Sequence, residues 1–285
     1  MFKIFIIFLF ISTSLNSQEI WYDKHGNGPP LFLIHGGPIL NHRYFTPFLD
    51  SLENHFSIYF IDLPGRGESN INDTISMGIK KDAYAIEKLR KKLNLDKINL
   101  LGHSFGGYVS LAYLNLHPER VGKMVIVSSP VGITQSIFDS VKTKLKPLFK
   151  NVNNKKENIK IIEKINFAKK HSREYLKTWL DMMNEIEHKS YKNKSIRYSN
   201  NLKKDWFEIF GTMTLSFKNC SEISQGKELL FIFGKKDLLA FEKYSKRFCD
   251  ECDNIKIIIF DNSAHIPFVD ENEKFIKETT NFILK

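Results

Sequence analysis

A serine flanked by glycines is the feature of this sequence whose residue types and spacing point most directly to chemistry. Ser104 is the centre of the pentapeptide GHSFG, residues 102–106, which follows the mostly apolar run 98–101. A serine hydroxyl is a weak nucleophile unless a tight turn presents it beside a base, and glycines two residues before and after it permit that strained strand-to-helix turn. The pattern predicts a nucleophile elbow with Ser104 as the nucleophile.

A candidate acid and a candidate base follow farther along the chain, each just past the end of an apolar run. Asp237 comes after the run 229–234, and His265 comes after the run 255–260. We expect His265 to act as the general base that takes the serine proton and returns it to the leaving group. We expect Asp237 to orient the imidazole of His265 and to stabilise its charged form. The chain order Ser, Asp, His is the order that an elbow of this type requires.

The stretch His35-Gly36-Gly37-Pro38 follows another buried-strand run, residues 31–34. Glycines there let the main chain approach a substrate closely. We expect an oxyanion hole made of the backbone amides of Gly37 and Phe105, each contributing on the order of 3 kcal/mol at the transition state. An ordinary turn is the alternative interpretation of Gly-Gly-Pro, but its position after a buried strand favours the oxyanion hole.

Other residues compete for these roles. Ser104 is alternatively a helix N-cap, although the surrounding motifs would then be coincidental. We expect His103 to point away from the serine and His35 to order the oxyanion loop. The rival histidines are His35, His103 and His117, and the alternative acids are Asp250, Asp253 and Asp261.

Apolar strand candidates alternate with amphipathic helix candidates along most of the chain. This alternation is typical of an α/β fold, a mostly parallel central sheet with helices on both faces. It stops between residues 130 and 225, where helical periodicity takes over in lysine-rich and asparagine-rich sequence. Strands are expected near 19–22, 30–35, 56–61, 97–101, 123–128, 229–234 and 255–260. Helices are expected near 43–54, 76–94, 104–117, 240–249 and 271–284.

These motifs resemble the α/β-hydrolase superfamily, in particular lidded serine hydrolases of the proline iminopeptidase branch and their esterase-like relatives. The resemblance extends from about Trp21 to Leu284 and rests on residues 35–38, 62–69, 102–107, 234–237 and 264–265. It implies a core of residues 18–130 and 226–285, with a helical lid of residues 131–225 inserted after the sixth strand. The loop 62–69, DLPGRGES, is expected to be structural.

The resemblance implies cleavage of a small ester or amide through an acyl-enzyme on Ser104, with no metal and no organic cofactor. The proline iminopeptidase pattern further implies removal of N-terminal proline from short peptides, with an acidic lid residue holding the free amine. Ile39 stands where that family usually has glycine, and Phe105 stands where it usually has tryptophan. A carboxylesterase therefore stays open, as does a ligand-binding member of the fold with little or no catalysis. Candidate lid acids are Glu163, Glu174, Glu185 and Glu187.

The first 17 residues have a short basic start, eight apolar residues and a small polar tail. This pattern predicts a secretory signal peptide, because eight apolar residues are too few to span a bilayer. An uncleaved anchor or a first core strand is the alternative. We expect a secreted or periplasmic protein with no stable membrane span after signal removal.

The net charge of +10 resides in one segment. Residues 141–205 hold 18 Lys and Arg against 7 Asp and Glu, a net of +11, so the rest of the chain is near −1. The lysines are spread among asparagines and glutamates without interleaved stacking aromatics, which favours a solvated helical surface over nucleic-acid binding. The expected partner is a small-molecule or short-peptide substrate, and nothing in the sequence specifies an oligomeric state.

The three cysteines, Cys220, Cys249 and Cys252, fit an oxidising compartment. Their number does not dictate a pairing. We expect either a local disulfide within Cys249-Asp250-Glu251-Cys252 or two free thiols there. No second cysteine or histidine pair at metal spacing accompanies this stretch, so no metal site is expected.

Overall fold

One mostly parallel sheet organises the chain. The computed structural model describes residues 20–37, 41–69, 78–129, 131, 217, 219–237, 245 and 252–285. The strands among these residues are β1 Trp21–His25, β2 Pro30–Ile34, β3 Ser57–Asp62, β4 Ile98–His103, β5 Val121–Val127, β6 Leu229–Gly234 and β7 Ile255–Phe260. They form a single sheet in the order β1-β3-β2-β4-β5-β6-β7, in which β1 is antiparallel to β3 and every other pairing is parallel.

Helices cover both faces of this sheet. Successive residues of β2 alternate between two apolar clusters: Phe32 joins the cluster that includes α1 (Ile79–Lys92) and α2 (Phe105–Leu116), and Leu33 joins the one that includes α5 (Asn272–Leu284). A strand buried on both faces reads as a continuous apolar run, which explains the uninterrupted runs in the sequence. The α-helices are α1 Ile79–Lys92, α2 Phe105–Leu116, α3 Cys220–Ser224, α4 Pro267–Asp270 and α5 Asn272–Leu284; short 3-10 helices span His42–Phe45, Asp50–Asn54 and Pro118–Arg120.

The predicted α/β fold is confirmed, and the strand positions agree with the sequence to within a few residues. The helix expected over 43–54 is instead two short 3-10 helices, because Pro47 lies between them and a proline cannot donate the backbone hydrogen bond that a continuous helix needs. The helix expected over 240–249 lies outside the described residues, apart from Ser245. No helix in the described part of the chain is long and apolar enough to cross a bilayer.

The segment expected to form the lid connects β5 to β6. It therefore follows the fifth of the described strands, one strand earlier than the resemblance implies. Residues 132–216 and the expected signal segment 1–17 lie outside the described residues. The backbone N–H of Val131, at the start of this segment, donates to Ser245 Oγ at 3.2 Å.

A polar cluster fastens α1 to α2. Arg90 donates to both carboxylate oxygens of Glu87, at 2.8 and 2.7 Å, and the Tyr113 hydroxyl donates to Glu87 Oε2 at 2.8 Å. Burial alone would raise the pKa of Glu87, but the hydrogen bonds from Arg90 and Tyr113 outweigh it and lower the pKa from 4.5 to about 2. The cluster therefore holds α1 against α2.

One disulfide joins Cys220 to Cys252, with their Cα atoms 6.0 Å apart. The expectation of a local bond between Cys249 and Cys252, or of two free thiols, is therefore wrong. Cys220 lies at the start of α3 and Cys252 just before β7, and both pack on the cluster that includes α1 and α2. Tertiary packing thus brings together two cysteines that are 32 residues apart in sequence.

Candidate active site

Ser104 occupies a strained turn between β4 and α2. Its φ of 52° and ψ of −114° lie outside the conformations that a non-glycine residue commonly adopts. The backbone N–H of Ser104 donates to the carbonyl of Val127 at 2.8 Å, which fixes the turn against the end of β5. A Cβ added at Gly106 would lie 2.6 Å from the carbonyl oxygen of His35, so glycine is required where α2 begins against the end of β2.

The three residues predicted as nucleophile, acid and base come together in a hydrogen-bonded row. His265 Nε2 lies 3.1 Å from Ser104 Oγ, and His265 Nδ1 lies 2.8 Å from Asp237 Oδ2. An ionised carboxylate can only accept, so His265 Nδ1–H donates to Asp237. On a neutral ring Nε2 is then the unprotonated nitrogen, and it accepts the Ser104 hydroxyl. This arrangement can move the serine proton to the imidazole while the carboxylate stabilises the resulting cation.

Backbone and side-chain hydrogen bonds hold the acid and base loops. The N–H of Lys236, next to Asp237, donates to the carbonyl of Ser263 at 2.9 Å. Ala264 N–H donates to Asp270 Oδ2 at 2.8 Å, and Ser263 Oγ donates to Glu271 Oε2 at 2.8 Å. The residues on either side of the Asp237–His265 contact are therefore tied to each other and to the α4–α5 junction.

His35 orders the loop that carries the predicted oxyanion donor Gly37. The N–H of Leu63 donates to His35 Nε2 at 3.1 Å, so His35 Nδ1 carries the proton and donates to the carbonyl of Gly36 at 3.1 Å. Burial lowers the pKa of His35 to about 4, although the charge of Asp62 acts in the opposite direction. The Gly36 carbonyl and the Gly37 N–H belong to one peptide plane, so His35 sets the direction in which Gly37 donates.

Phe105, the other predicted oxyanion residue, is the first residue of α2, where backbone N–H groups have no partner within the helix. Its ring is buried and the Arg66 guanidinium lies 5.5 Å from the ring centroid. Arg66 also donates to Asp82 at 2.6 Å, with both side chains almost fully buried. The loop 62–69 thus supports the start of α2, in keeping with the structural role expected for it.

The rival residues have other partners. His103 lies next to Ser104, yet its nitrogens contact Tyr44 Oη and the carbonyl of His265, each at 2.9 Å. His117 packs on Tyr113 at the far end of α2, and Asp261 pairs with Lys235 on the surface. Asp250 lies outside the described residues. In the parts of the chain that the structure describes, no group of three or more His, Cys, Asp or Glu side chains is arranged to hold a metal ion.

Sequence reasoning missed Tyr44, Asp270 and Glu271. The hydroxyl of Tyr44 accepts from Gly36 N–H at 2.5 Å, and the two acids hold the loop before His265. No motif marks these residues, because their partners lie on other elements. In the sequence, the only indication of the two acids is that they are polar residues soon after the candidate base.

Known proteins share this architecture. The sequence matches the family described as the alpha/beta hydrolase fold over residues 29–272. The proline iminopeptidase of Clostridioides difficile (strain 630) is 26% identical over 268 residues, covering 89% of each chain. A probable 1-acylglycerol-3-phosphate O-acyltransferase of Oryza sativa subsp. japonica is 36% identical over 121 residues, covering 41% of this chain and 29% of that protein. The structure of the esterase EaEST from Exiguobacterium antarcticum superposes with a TM-score of 0.72 at 20% identity, covering 95% of this chain and 97% of that one. The chain belongs to the alpha/beta hydrolase fold family.

Proposed function

We propose that this protein is a serine hydrolase that cleaves a small ester or amide through an acyl-enzyme on Ser104. The observation that carries the proposal is the unbroken row of hydrogen bonds from Ser104 Oγ through His265 to Asp237, at 3.1 and 2.8 Å. A serine with only a structural role at the surface would need neither a strained backbone nor an imidazole oriented by a buried carboxylate. Asp237 has only 5% of its side chain exposed, so its charge is well placed to stabilise an imidazolium.

In the proposed reaction Ser104 Oγ attacks the carbonyl carbon of the substrate while its proton passes to His265 Nε2. The negative charge that develops on the carbonyl oxygen is held by the N–H groups of Gly37 and Phe105, aided by the positive end of the α2 dipole. His265 then protonates the departing alcohol or amine, which leaves the acyl group on Ser104. A water that His265 deprotonates attacks the acyl-enzyme and releases the acid. The chemistry needs no metal ion and no organic cofactor.

Two substrate classes fit this chemistry, and the relatives support both. Similarity to a proline iminopeptidase over 89% of each chain, together with the HGGP stretch at residues 35–38, supports cleavage of an N-terminal proline amide. The fold shared with an esterase supports cleavage of a small ester. Phe105 and Ile39 depart from the iminopeptidase pattern, and esters are the intrinsically more reactive substrates. We therefore expect ester turnover to exceed proline release.

The test compares the wild type with Ser104→Ala on 4-nitrophenyl acetate, 4-nitrophenyl butyrate and proline β-naphthylamide. Ser110→Ala is the matched control, because Ser110 lies on α2 and its buried hydroxyl donates only locally, to the carbonyl of Gly106 at 2.8 Å. We expect kcat to fall about 10⁴-fold or more in Ser104→Ala and to change little in Ser110→Ala. A fluorophosphonate probe should label the wild type, with the added mass on the peptide that contains Ser104.

Each outcome of these assays points to a different function. Proline release that requires Ser104 identifies an iminopeptidase, and ester turnover alone identifies a carboxylesterase. Turnover that persists in Ser104→Ala refutes the proposed nucleophile. Absence of both turnover and labelling in the wild type refutes the hydrolase and supports a ligand-binding member of the fold.

We also propose that residues 131–225 form a helical lid over this site and that residues 1–17 direct export. Support for the lid comes from its point of departure, because β5 ends at Val127, whose carbonyl binds the N–H of Ser104. Support for export comes from the Cys220–Cys252 disulfide, since such bonds persist mainly in oxidising compartments. Mass spectrometry of the protein recovered from a secreting host tests the second point: a mature chain beginning near residue 18 is expected, and an intact Met1 contradicts it.

A further inference from the structure

Tyr44 and His103 connect the oxyanion loop to the base loop. The N–H of Gly36 lies 2.5 Å from Tyr44 Oη, Tyr44 Oη lies 2.9 Å from His103 Nδ1, and His103 Nε2 lies 2.9 Å from the carbonyl oxygen of His265. This row of hydrogen bonds joins two loops whose residues, Gly36 and His265, are 229 positions apart in sequence. The two side chains between them are each at least 97% buried. We call these two side chains the Tyr44–His103 bridge.

The positions of the protons follow from the partners at the two ends. A backbone N–H can only donate, so Tyr44 Oη accepts from Gly36. A carbonyl can only accept, so His103 Nε2 is protonated and donates to the backbone carbonyl of His265. Burial lowers the pKa of His103 well below its usual value, and the nearby His265 adds to the effect, so the ring is neutral. Nδ1 of His103 is then unprotonated and accepts the hydroxyl proton of Tyr44.

Packing leaves the bridge little freedom. The His103 ring lies edge-on to Phe268, at 5.2 Å between centroids, and 5.0 Å from the ring of His265. A Cβ added at Gly36 would lie 2.7 Å from His103 Nδ1 and 3.1 Å from Tyr44 Oη. The glycine next to the predicted oxyanion donor is therefore what permits the bridge to approach the main chain.

We propose that the Tyr44–His103 bridge is a positioning device that fixes the separation between the oxyanion loop and His265. The inference rests on the proposed function, since it assigns the bridge to that same site. Neither side chain acts on the substrate: Tyr44 acts through Gly36, whose neighbour is the oxyanion donor Gly37, and His103 acts through the backbone of His265. Loss of the bridge should therefore misalign groups that act in the transition state and leave substrate binding largely unchanged.

The test variant is Tyr44→Phe, which keeps the ring and removes the hydroxyl. The matched control is Tyr113→Phe, which also removes a buried tyrosine hydroxyl with a hydrogen bond of similar length, but between α1 and α2. We expect kcat for 4-nitrophenyl acetate to fall 10- to 100-fold in Tyr44→Phe with KM changed less than twofold. Tyr113→Phe should lower thermal stability by at least as much and leave kcat within twofold of the wild type. Equal kcat values in Tyr44→Phe and the wild type, or equal losses in the two variants, overturn the proposal.

Variants of His103 give a second comparison. His103→Leu removes both hydrogen bonds, whereas His103→Gln retains an N–H near the position of Nε2 that can donate to the carbonyl of His265. We expect His103→Gln to recover part of the kcat that His103→Leu loses. Loss of the same size in both variants contradicts a role exerted through the His265 backbone.

Nitrogen NMR of ¹⁵N-histidine-labelled protein tests the hydrogen bonds of the Tyr44–His103 bridge independently of activity. It should show His103 as the neutral Nε2–H tautomer, and Tyr44→Phe should shift its Nδ1 resonance. An Nδ1–H tautomer, or a resonance insensitive to Tyr44→Phe, overturns the bridge even in an active enzyme. A wild type with this signature but with neither Ser104-dependent turnover nor fluorophosphonate labelling instead refutes the proposed function.

Discussion

Gly234, the last residue of β6, gives the sharpest test of how the acid and base loops determine activity. A Cβ added there would lie 2.5 Å from the carbonyl oxygen of Ser263 and closer still to that of Ala264. Ordinary van der Waals contact begins at 3.4 Å, so the Ser263 contact alone requires Gly234→Ala to separate the two chain segments by about 0.9 Å, and the closer Ala264 contact requires more. Ala264 immediately precedes His265, and Gly234 lies three residues before Asp237. A displacement of about 1 Å in a reacting group lowers rate about 100-fold, so kcat should fall by roughly that factor.

The assay measures kcat and KM for 4-nitrophenyl acetate, with thermal unfolding monitored in parallel. Gly122→Ala is the matched control, because its Cβ would also meet an oxygen at 2.5 Å, the Oδ1 atom of Asn99. Gly122 lies near the start of β5, at the opposite end of that strand from Val127, which contacts Ser104, so its replacement should cost stability and leave kcat within twofold. The reasoning is refuted if Gly234→Ala keeps wild-type kcat, or if Gly122→Ala loses as much.

Three further predictions concern the acid, the disulfide and the buried carboxylate of α1. Asp237→Asn should lower kcat about 10³- to 10⁴-fold with little change in KM, because the amide carries no charge and can donate as well as accept, so it no longer fixes the tautomer of His265; steady-state kinetics with an unchanged rate would contradict this. Cys220→Ser should lower the free energy of unfolding in urea by about 3–4 kcal/mol, the value expected for a 32-residue loop, and reductant should then have no further effect. Glu87, whose pKa is depressed to about 2, stabilises the fold above pH 4.5 and loses that contribution as pH falls towards 2. Wild type should therefore lose about 3 kcal/mol more than Glu87→Gln between pH 5 and pH 2, as measured by urea unfolding, and parallel curves for the two proteins would contradict it.

The sheet and the elbow were predictable because each leaves a local signal. A parallel strand buried on both faces must be apolar along its length, and the runs 31–34 and 229–234 show this directly. The elbow requires glycine where α2 meets the end of β2, which is a steric need that one residue type satisfies. Signals of this kind depend only on neighbours in sequence or on a single close contact.

The disulfide partner and Tyr44 were not predictable, because their contacts depend on distant residues. Cys252 has a cysteine three residues before it, yet it pairs with Cys220, which tertiary packing brings beside it. Tyr44 lies on a 3-10 helix with no motif, and its partners Gly36 and His103 come from two different strand ends. No spacing rule relates such residues, since the connecting elements between them can vary in length without changing the contact.

The buried His103 beside His265 imposes an electrostatic requirement on the proposed reaction. His265 must become positively charged when it takes the proton of Ser104, and the ring of His103 lies only 5.0 Å away. Two unit charges at that separation repel by about 3 kcal/mol at an effective dielectric constant of 20, which is enough to slow proton transfer about 100-fold. Burial avoids this cost by keeping His103 neutral, as its lowered pKa indicates. A neutral His103 can still connect the two loops through its hydrogen bonds. The site therefore gains rigid support, while the positive charge that forms during the reaction stays on His265, next to Asp237.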